Sequence, residues 1–366
     1  MSKPRVLFVS RTRYRLPLPS SLAAKWDALA AELELKVLAS GVDGRAREGA
    51  FELVPARSGL LFWLLLPLRV ARLLRSFRPD VVVTQSPYES FAVLVARLLT
   101  RTRARVVTDV QGDWRTATRL YGSPLRAALS LPADALAAAT LRRVDAVRTI
   151  SPYTSRLVRE LGLEPTASFP TFVDLEAFAG RPPVEPPASA VALFVGVLEP
   201  YKNIDGLVEA WRSIADRVPA ASLHVVGKGS REDVVQALAA VDPRVRWTRE
   251  LDAAGVAAAM DAATLLVLPS RSEGMGRVVI EAFCRARPVV GTRVGGIADL
   301  VEDGVSGLLV RPGATEELEA ALERLLTDTR LARDLGRAAR ERVEPWLQTA
   351  EDFAHRTREL VDELTR

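Results

Sequence analysis

The sequence is poor in the residues that build disulfide frameworks and metal sites. Its 366 residues include one cysteine and two histidines. A single cysteine excludes an internal disulfide, and two histidines far apart in sequence form no metal site of recognisable spacing. The cysteine, Cys284, falls within a predicted helix, where a buried structural thiol is favoured over a reactive one.

The N-terminal residues enter a predicted strand directly and lack the shape of a signal peptide, so we expect a cytoplasmic location. The apolar run Leu60–Leu68 is shorter than the about 20 residues that span a bilayer. It is followed by four arginines at helical spacing: Arg69, Arg72, Arg75 and Arg78. This pattern fits an interfacial helix at the inner face of an anionic membrane, and it also fits a buried helix with a solvated basic face.

Charge is unevenly distributed along the chain. Residues 1–180 carry 26 Lys+Arg and 16 Asp+Glu, a net charge of +10, and the remainder carries 24 and 29, a net charge of −5. A basic first half favours an anionic partner. No aromatic-interleaved basic motif or helix-turn-helix pattern points to nucleic acid, so an anionic membrane surface is the better candidate. A solvated arginine-rich surface is the alternative.

Predicted strands and helices alternate through both halves, and the strands are continuous apolar runs. This alternation is typical of parallel sheets covered by helices on both faces. We expect a loop at Arg11–Pro19, and a proline-rich break separates the halves. The predicted organisation is an N-terminal domain at 1–178, a linker at 179–189, a second doubly wound domain at 190–345 and a C-terminal helix at 346–366.

A strand, a glycine-bearing turn and a helix follow one another at Thr264–Phe283. Gly274 and Gly276 allow a ligand to approach the backbone, and the first turn of the helix offers unpaired N–H groups to a phosphate. Glu273 and Glu281 bracket this turn. Because carboxylates repel phosphate, we predict that Glu281 accepts hydrogen bonds from a ribose and Glu273 from sugar hydroxyls.

Two earlier loops belong to the same predicted site. Gly196 permits close approach after the first strand of the second domain, and Lys202 in that loop can hold a phosphate. Gly227 follows the next strand in the same way. Either loop alone is an ordinary strand-to-helix turn, but the carboxyl ends of parallel strands meet at one edge, where ligands bind.

These segments together resemble the retaining family-4 glycosyltransferases, also called glycosyl transferases group 1. The resemblance rests on the Gly196–Lys202 loop, the Val226–Gly229 loop, the E-x7-E pair of Glu273 and Glu281, and the segments Pro288–Ile297 and Asp303–Val310. It covers nearly the whole second domain. In the first half, Ile150–Thr154 and Pro170–Asp174 are also similar to the family.

The resemblance implies the GT-B fold, an α/β architecture of two doubly wound Rossmann-like domains facing across a cleft. The second domain would hold a nucleoside-diphosphate sugar and the first a sugar or lipid-linked acceptor, with the last helix crossing back to the first domain. The implied activity is retaining hexosyl transfer in cell-envelope, polysaccharide or glycolipid synthesis, without a cofactor or essential metal.

The resemblance also implies residue roles. Glu281 would bind the nucleotide ribose, and Glu273 would act catalytically through the donor sugar hydroxyls. The implied donor-binding set also includes Gly196, Lys202, Gly227, Gly274, Met275, Gly276 and Arg277.

Two positions depart from the family pattern. Val197 stands where the family usually has an arginine that contacts the diphosphate, and we predict that Arg277 partly replaces that charge. Gln111 stands where the family often has a histidine, and it is the other predicted catalytic residue, able to hydrogen-bond a sugar hydroxyl but not to take a proton. These departures leave open a non-catalytic sugar-nucleotide-binding or scaffold protein. A second alternative is a nucleotide-sugar epimerase of the same fold, which would need an acid–base set in the cleft, where the sequence offers no histidine.

Overall fold

The structure is a computed structural model that describes residues 3–55, 60–120, 128–187 and 189–366. It divides into two compact units. The first comprises Met1–Phe172 together with Gln348–Arg366, and the second is Val173–Leu347.

An eight-stranded sheet forms the centre of the first unit. Its strands are β1 (Arg5–Tyr14), β2 (Glu34–Gly41), β3 (Ala46–Glu48), β4 (Phe51–Pro55), β5 (Val81–Thr84), β6 (Arg105–Val110), β7 (Ala146–Thr149) and β8 (Ala167–Ser168). They are ordered β3-β4-β2-β1-β5-β6-β7-β8, and all pairs are parallel except β3 with β4. The helices are α1 (Ser20–Glu32), α2 (Leu60–Ser76), α3 (Pro87–Thr100), α4 (Thr116–Arg119), α5 (Ser130–Leu141), α6 (Pro152–Arg159) and, at the end of the chain, α15 (Ala350–Thr365).

The sheet of the first unit has a hydrophobic core on each face. Successive side chains of a strand point to opposite faces, so the neighbours Val106 and Val107 enter different cores. Helices α2 and α3 cover one face, while α1 and α15 pack together over the other. The ring of Phe353 in α15 lies edge-on to Phe169 at 6.0 Å and is buried in this second core.

The predicted loop at Arg11–Pro19 is wrong in its first part, because β1 continues to Tyr14. The pairing with β2 shifts register between Val9 and Arg13 and then resumes. Tyr14 anchors the extension: its buried ring packs edge-on against Phe51 at 5.5 Å. Burial of this aromatic side chain outweighs the solvation of the arginines beside it.

The second unit is a six-stranded parallel sheet with the order β11-β10-β9-β12-β13-β14. Its strands are β9 (Val191–Val195), β10 (Ser222–Val226), β11 (Val245–Thr248), β12 (Leu265–Leu268), β13 (Val289–Thr292) and β14 (Gly307–Val310). Its helices are α7 (Glu176–Ala179), α8 (Ile204–Ile214), α9 (Glu232–Val241), α10 (Ala253–Asp261), α11 (Arg277–Cys284), α12 (Gly295–Leu300), α13 (Thr315–Thr327) and α14 (Thr329–Glu341). Pro200–Lys202 and Glu344–Trp346 form 3₁₀ turns.

The strand order of the second unit places its ligand-binding edge. Counted from β9, the sheet runs 3-2-1-4-5-6, the doubly wound order in which ligands bind outside the carboxyl ends where the order reverses. That point lies between β9 and β12. The predicted doubly wound α/β class is therefore confirmed for both units.

The proline-rich segment belongs to the second unit, so the division between units lies at 172/173 and not at 178/179. Two buried arginines that follow α11 hold it there. Arg285 donates to the carbonyls of Phe178, Arg181 and Pro182, and Arg287 donates to that of Val184. Of the predicted linker, Ala188 lies outside the described residues.

Several elements were not predicted: β3, β4, β8, α4, α7, α12 and α14. All of these except α14 are short and carry little periodicity. The helix predicted from Pro124 to Arg143 is present as α5, and its residues 124–127 lie outside the described ranges.

A seven-residue pattern, Thr-x-Ser-Pro-Tyr-x-Ser, occurs twice in the first unit, at 84–90 and 149–155. In both copies the threonine ends a strand and the proline begins a helix. Ser86 and Ser151 have nearly the same backbone angles, −156°/162° and −157°/162°. The threonine and final serine hydroxyls meet at 2.6 Å in the first copy and 2.7 Å in the second. The pattern therefore builds the same strand-to-helix turn after β5 and after β7.

Candidate active site

The glycine turn after β12 leads directly into α11. Gly276 is the N-cap residue of α11 and has left-handed backbone angles of 77° and 43°, which a side chain would strain. Met275 before it is buried, and Gly274 is half-buried. The predicted order of strand, turn and helix is confirmed, and the first N–H groups of α11 lie at the carboxyl edge of the sheet.

A second pair of glycines holds this turn in place. A Cβ added at Gly295 would lie 1.9 Å from the carbonyl oxygen of Glu273, and one at Gly296 would lie 2.5 Å from the carbonyl carbon of Met275. The Gly296 N–H donates to the Glu273 carbonyl at 3.0 Å. Only glycine allows α12 to approach so closely. Both glycines lie in the Pro288–Ile297 segment that resembles the family, but their role was not predicted from the sequence.

Lys202 and Glu273 form a salt bridge at the point where the strand order reverses. The lysine is buried and the Glu273 side chain keeps only 18% of its exposure. The Lys202 side chain runs beside Gly196, since a Cβ there would lie 3.6 Å from its Cε. The two loops are also joined by the Arg271 N–H, which donates to the Tyr201 carbonyl at 2.7 Å.

Glu281 is buried in the first turns of α11, and Arg277 one turn earlier donates to its Oε1 from Nε at 2.6 Å. Burial raises the pKa of Glu281, and the charge of Arg277 opposes that shift. The Arg277 side chain remains 57% exposed. In this structure Arg277 therefore neutralises Glu281, a contact the sequence analysis did not foresee.

The loops after β9 and β10 touch through Gly227. A Cβ there would lie 1.8 Å from the carbonyl oxygen of Gly196, and the Gly196 N–H donates to the Val226 carbonyl. Glycine at 227 is thus required for loop packing. Val197 beside this contact is 47% exposed and brings no charge to the edge.

Gln111 lies in the first unit, just after β6. Its Nε2 donates to Asp109 Oδ2 at 3.0 Å, and the same oxygen accepts from the buried Arg148 at 2.8 Å. This contact fixes the amide of Gln111 and leaves its carbonyl oxygen available to a ligand. The second predicted catalytic residue, Glu273, belongs to the other unit.

Three further polar side chains follow β5, β6 and β7, which are neighbours in the first sheet: Tyr88, Asp113 and Tyr153. The Tyr153 hydroxyl donates to Asp113 Oδ2 at 3.4 Å, and Arg115 Nε donates to Asp113 Oδ1 at 2.8 Å. Burial raises the pKa of both tyrosines to about 12. These three residues were not predicted as functional, although both tyrosines lie in the repeated Thr-x-Ser-Pro-Tyr-x-Ser pattern that could have revealed them.

Comparison with known proteins identifies the family. Residues 189–328 match the family model for glycosyl transferases group 1, and residues 20–168 match that for the glycosyl transferase 4-like domain. The chain belongs to the group 1 glycosyltransferase family. The predicted resemblance is therefore confirmed.

Similar proteins agree with this membership. Sulfoquinovosyl transferase SQD2 of Arabidopsis thaliana is 31% identical over 163 residues, which are 44% of this chain and 31% of that protein. The chain spans about a third of the length of the first curated relatives it matches. Sucrose-phosphate synthase from Thermosynechococcus elongatus has the same fold, with a TM-score of 0.79 at 21% identity over 99% of both chains. HepE from Anabaena in complex with UDP-glucose has a TM-score of 0.70 at 18% identity, and the match covers 98% of this chain and 99% of HepE.

The described part of this group 1 family member bears on metal binding and on membrane crossing. Within the described ranges, no three or more His, Cys, Asp and Glu side chains group as a metal site would require. No helix in the described part of the chain has the length and hydropathy needed to cross a bilayer.

Cys284 is buried, as predicted, and burial raises the pKa of its thiol to about 11.

Proposed function

We propose that the protein is a retaining glycosyltransferase of the hexosyl type that takes its sugar from a nucleoside diphosphate and acts in cell-envelope, polysaccharide or glycolipid synthesis. One observation carries this proposal. The Lys202–Glu273 pair and the N-terminus of α11 lie together where the strand order of the second sheet reverses. An ammonium, the backbone N–H groups of a helix N-terminus and two carboxylates at one edge suit a ligand with both phosphate and sugar hydroxyls.

Each group of the site has a part in the proposed reaction. Cleavage of the glycosyl–phosphate bond leaves negative charge on the diphosphate, which Lys202 and the N–H groups of α11 stabilise in the transition state. Glu273 accepts hydrogen bonds from the sugar hydroxyls and orients the anomeric carbon. Glu281 accepts from the ribose hydroxyls. None of these steps uses a metal ion.

The relatives support a sugar nucleotide as donor. HepE, whose fold the chain shares, binds UDP and UDP-glucose in its solved complexes. SQD2 is a sulfoquinovosyl transferase by name. UDP-sugars are therefore the first donors to test. For the acceptor, we propose that its hydroxyls meet Gln111, Tyr88, Asp113 and Tyr153 at the carboxyl edge of the first sheet.

Calorimetry with UDP, GDP and ADP tests donor binding. We expect one nucleotide to bind and the binding to weaken in Glu281→Ala, whereas Glu164→Ala, at an exposed residue of the first unit, should bind like the wild type. The donor hydrolysis rate, measured with and without EDTA, tests turnover and the absence of an essential metal. Proton NMR of the glycoside product should show the anomeric configuration of the donor.

Two other functions remain alternatives, and Val197 and Gln111, which lack the groups of typical family members, favour the first of them. A non-catalytic sugar-nucleotide-binding or scaffold protein would bind the nucleotide without turning the donor over. A nucleotide-sugar epimerase would release a free donor epimer and no glycoside. Nucleotide binding together with sugar transfer to an acceptor supports the proposal. Binding without turnover, or release of a donor epimer, replaces it with the corresponding alternative.

A further inference from the structure

The helices that cover one face of the first sheet expose an unusual share of the large apolar side chains. Sixteen such side chains are exposed among the described residues, and eight of them lie on α2, α3 and α5. The most exposed are Leu64 and Leu68 of α2, Leu98 of α3 and Leu131 of α5, at 63%, 61%, 78% and 77%. Helix α3 packs against both of the others, so these leucines belong to one helical layer. We refer to helices α2, α3 and α5 as the apolar layer.

The exposed apolar side chains of α2 lie on a different side of the helix from those that pack on the sheet. Phe62, Leu66 and Val70 enter the core, while Leu61, Leu64 and Leu68 face away from it. Both faces of α2 are therefore apolar in its first half. A helix of this kind in a globular unit is covered on one side by its own core and needs a second apolar environment on the other.

Carboxylates are scarce on the apolar layer. Helix α2 contains no acidic residue. The one acidic residue of α3, Glu89, is buried, and the one of α5, Asp134, accepts a hydrogen bond from Arg119 at 2.6 Å. The surface of these helices therefore lacks the negative charge that would repel an anionic partner.

Arginines surround the exposed leucines in two grooves. The first, about 600 Å³ in volume, contains Leu68 and is lined by four arginines: Arg45, Arg47, Arg69 and Arg72. Its carboxylate, Glu52, is shared by Arg47 and Arg72. The second, about 490 Å³, contains Leu98 and is lined by Arg97, Arg101 and Arg143. In each groove positive charge borders an apolar side chain.

We infer that the apolar layer docks on the surface of an anionic phospholipid bilayer, with the leucines in the acyl boundary and the grooves against lipid phosphates. A bilayer supplies both chemistries at the required spacing, because phosphates lie directly above the apolar chains. A second copy of this layer would bring arginine against arginine, and a nucleic acid would leave the leucines in water. This inference does not rest on the proposed function, since it involves neither the donor site nor turnover.

Vesicle sedimentation of the full chain tests the inference without any nucleotide. We expect the protein to sediment with phosphatidylglycerol vesicles at low salt, weakly with phosphatidylcholine vesicles, and to be released at high salt. Arg69→Gln with Arg72→Gln should lower the partition coefficient about 25-fold, since each arginine near the surface contributes about fivefold. Leu64→Gln with Leu68→Gln should lower it at least tenfold while the salt dependence persists.

Matched controls come from the second unit. There, Val241 is 74% exposed and the Arg330 side chain is 91% exposed. The double variant Val241→Gln with Arg330→Gln should leave sedimentation unchanged. Circular dichroism establishes that each variant is folded. Equal binding to both vesicle types, no binding at low salt, or no effect of the leucine variants overturns the inference. So does a stable dimer in light scattering that Leu64→Gln dissociates, because the layer is then an interface between copies.

Discussion

Lys202 donates a hydrogen bond from its ammonium to Glu273, a residue 71 positions later in the chain. Both side chains are largely removed from solvent, so each neutralises a charge that would otherwise be costly to bury. A diphosphate at this site would compete with Glu273 for the same ammonium. The carboxylate would then be released toward the sugar that the diphosphate carries.

The two partners should therefore respond differently to substitution. Lys202→Met removes a charge-assisted bond to the diphosphate and should weaken nucleotide binding by about 1.5–3 kcal/mol. Glu273→Gln removes a competing charge, so nucleotide binding should be retained or strengthened while turnover falls. Calorimetry and initial rates measure both effects, with the exposed Lys36→Met in the first unit as the control. Equal losses of affinity in both variants would contradict the assigned roles.

A second prediction concerns Arg277, which binds Glu281 in this structure. If it also supplies the charge that Val197 lacks, Arg277→Ala should weaken nucleotide binding by about 1–2 kcal/mol and by less in a Val197→Arg background. A double-mutant cycle measured by calorimetry gives this coupling. Additive losses would show that Arg277 does not share the phosphates. Repeating Arg277→Ala in Glu281→Gln then tests whether it acts only through the buried carboxylate.

A third prediction follows from Glu89, whose burial raises its pKa to about 7 despite the nearby charge of Arg11. The folded protein thus holds the Glu89 proton more tightly than the unfolded chain, whose pKa is about 4.5. The free energy of unfolding should therefore fall as pH rises from about 4.5 to 7, by at most about 3 kcal/mol from this group. Glu89→Gln should lack this decrease and be more stable at pH 8. Denaturation with urea across this range measures it, with the exposed Glu164→Gln as the control.

A fourth prediction concerns the segment joined to the second unit by Arg285. This arginine is fully buried and also donates to both carboxylate oxygens of Asp261. Arg285→Met leaves three carbonyls without their donor and removes one of the two arginines that pair with Asp261, the other being Arg181. It should lower the free energy of unfolding by about 3–5 kcal/mol. Urea denaturation gives the loss, and hydrogen exchange should show reduced protection in residues 178–184. Arg330→Met, on an exposed arginine, should have no such effect.

Much of the second unit could be predicted from sequence because most of its strands are apolar runs and glycines directly follow β9 and β10. The pattern indicated that Lys202 and Glu273 meet at one edge, since parallel strands carry their ends together. It did not reveal that Lys202 and Glu273 bind each other. When a ligand site is predicted from sequence, each charged residue is assigned to the ligand and pairing between the residues is overlooked. For the same reason Arg277 was predicted to bind phosphate, whereas in the structure it pairs with Glu281 one helical turn away.

The first unit was harder to predict for physical reasons. The end of β1 carries arginines, and it is held as a strand by its resumed pairing with β2 and by the aromatic contacts of Tyr14 with distant residues. The exposure of Leu98 and Leu131 could not be seen in sequence, because an apolar helix position looks the same whether it faces the core or solvent. The role of Gly295 and Gly296 could not be seen in sequence either, since it depends on their close approach to a turn about 20 residues earlier.

The placement of α15 bears on how the protein is made. Chains leave the ribosome from the N-terminus at a limited rate, and domains generally fold as units once they have emerged. The second unit is one continuous segment, Val173–Leu347, and is complete before the last residues are translated. The first unit must wait for Phe353, Leu360 and Val361, which fill one face of its core. The half of the protein whose synthesis begins first thus receives its last helix only after the second unit has been translated, and until then α1 alone covers that apolar face.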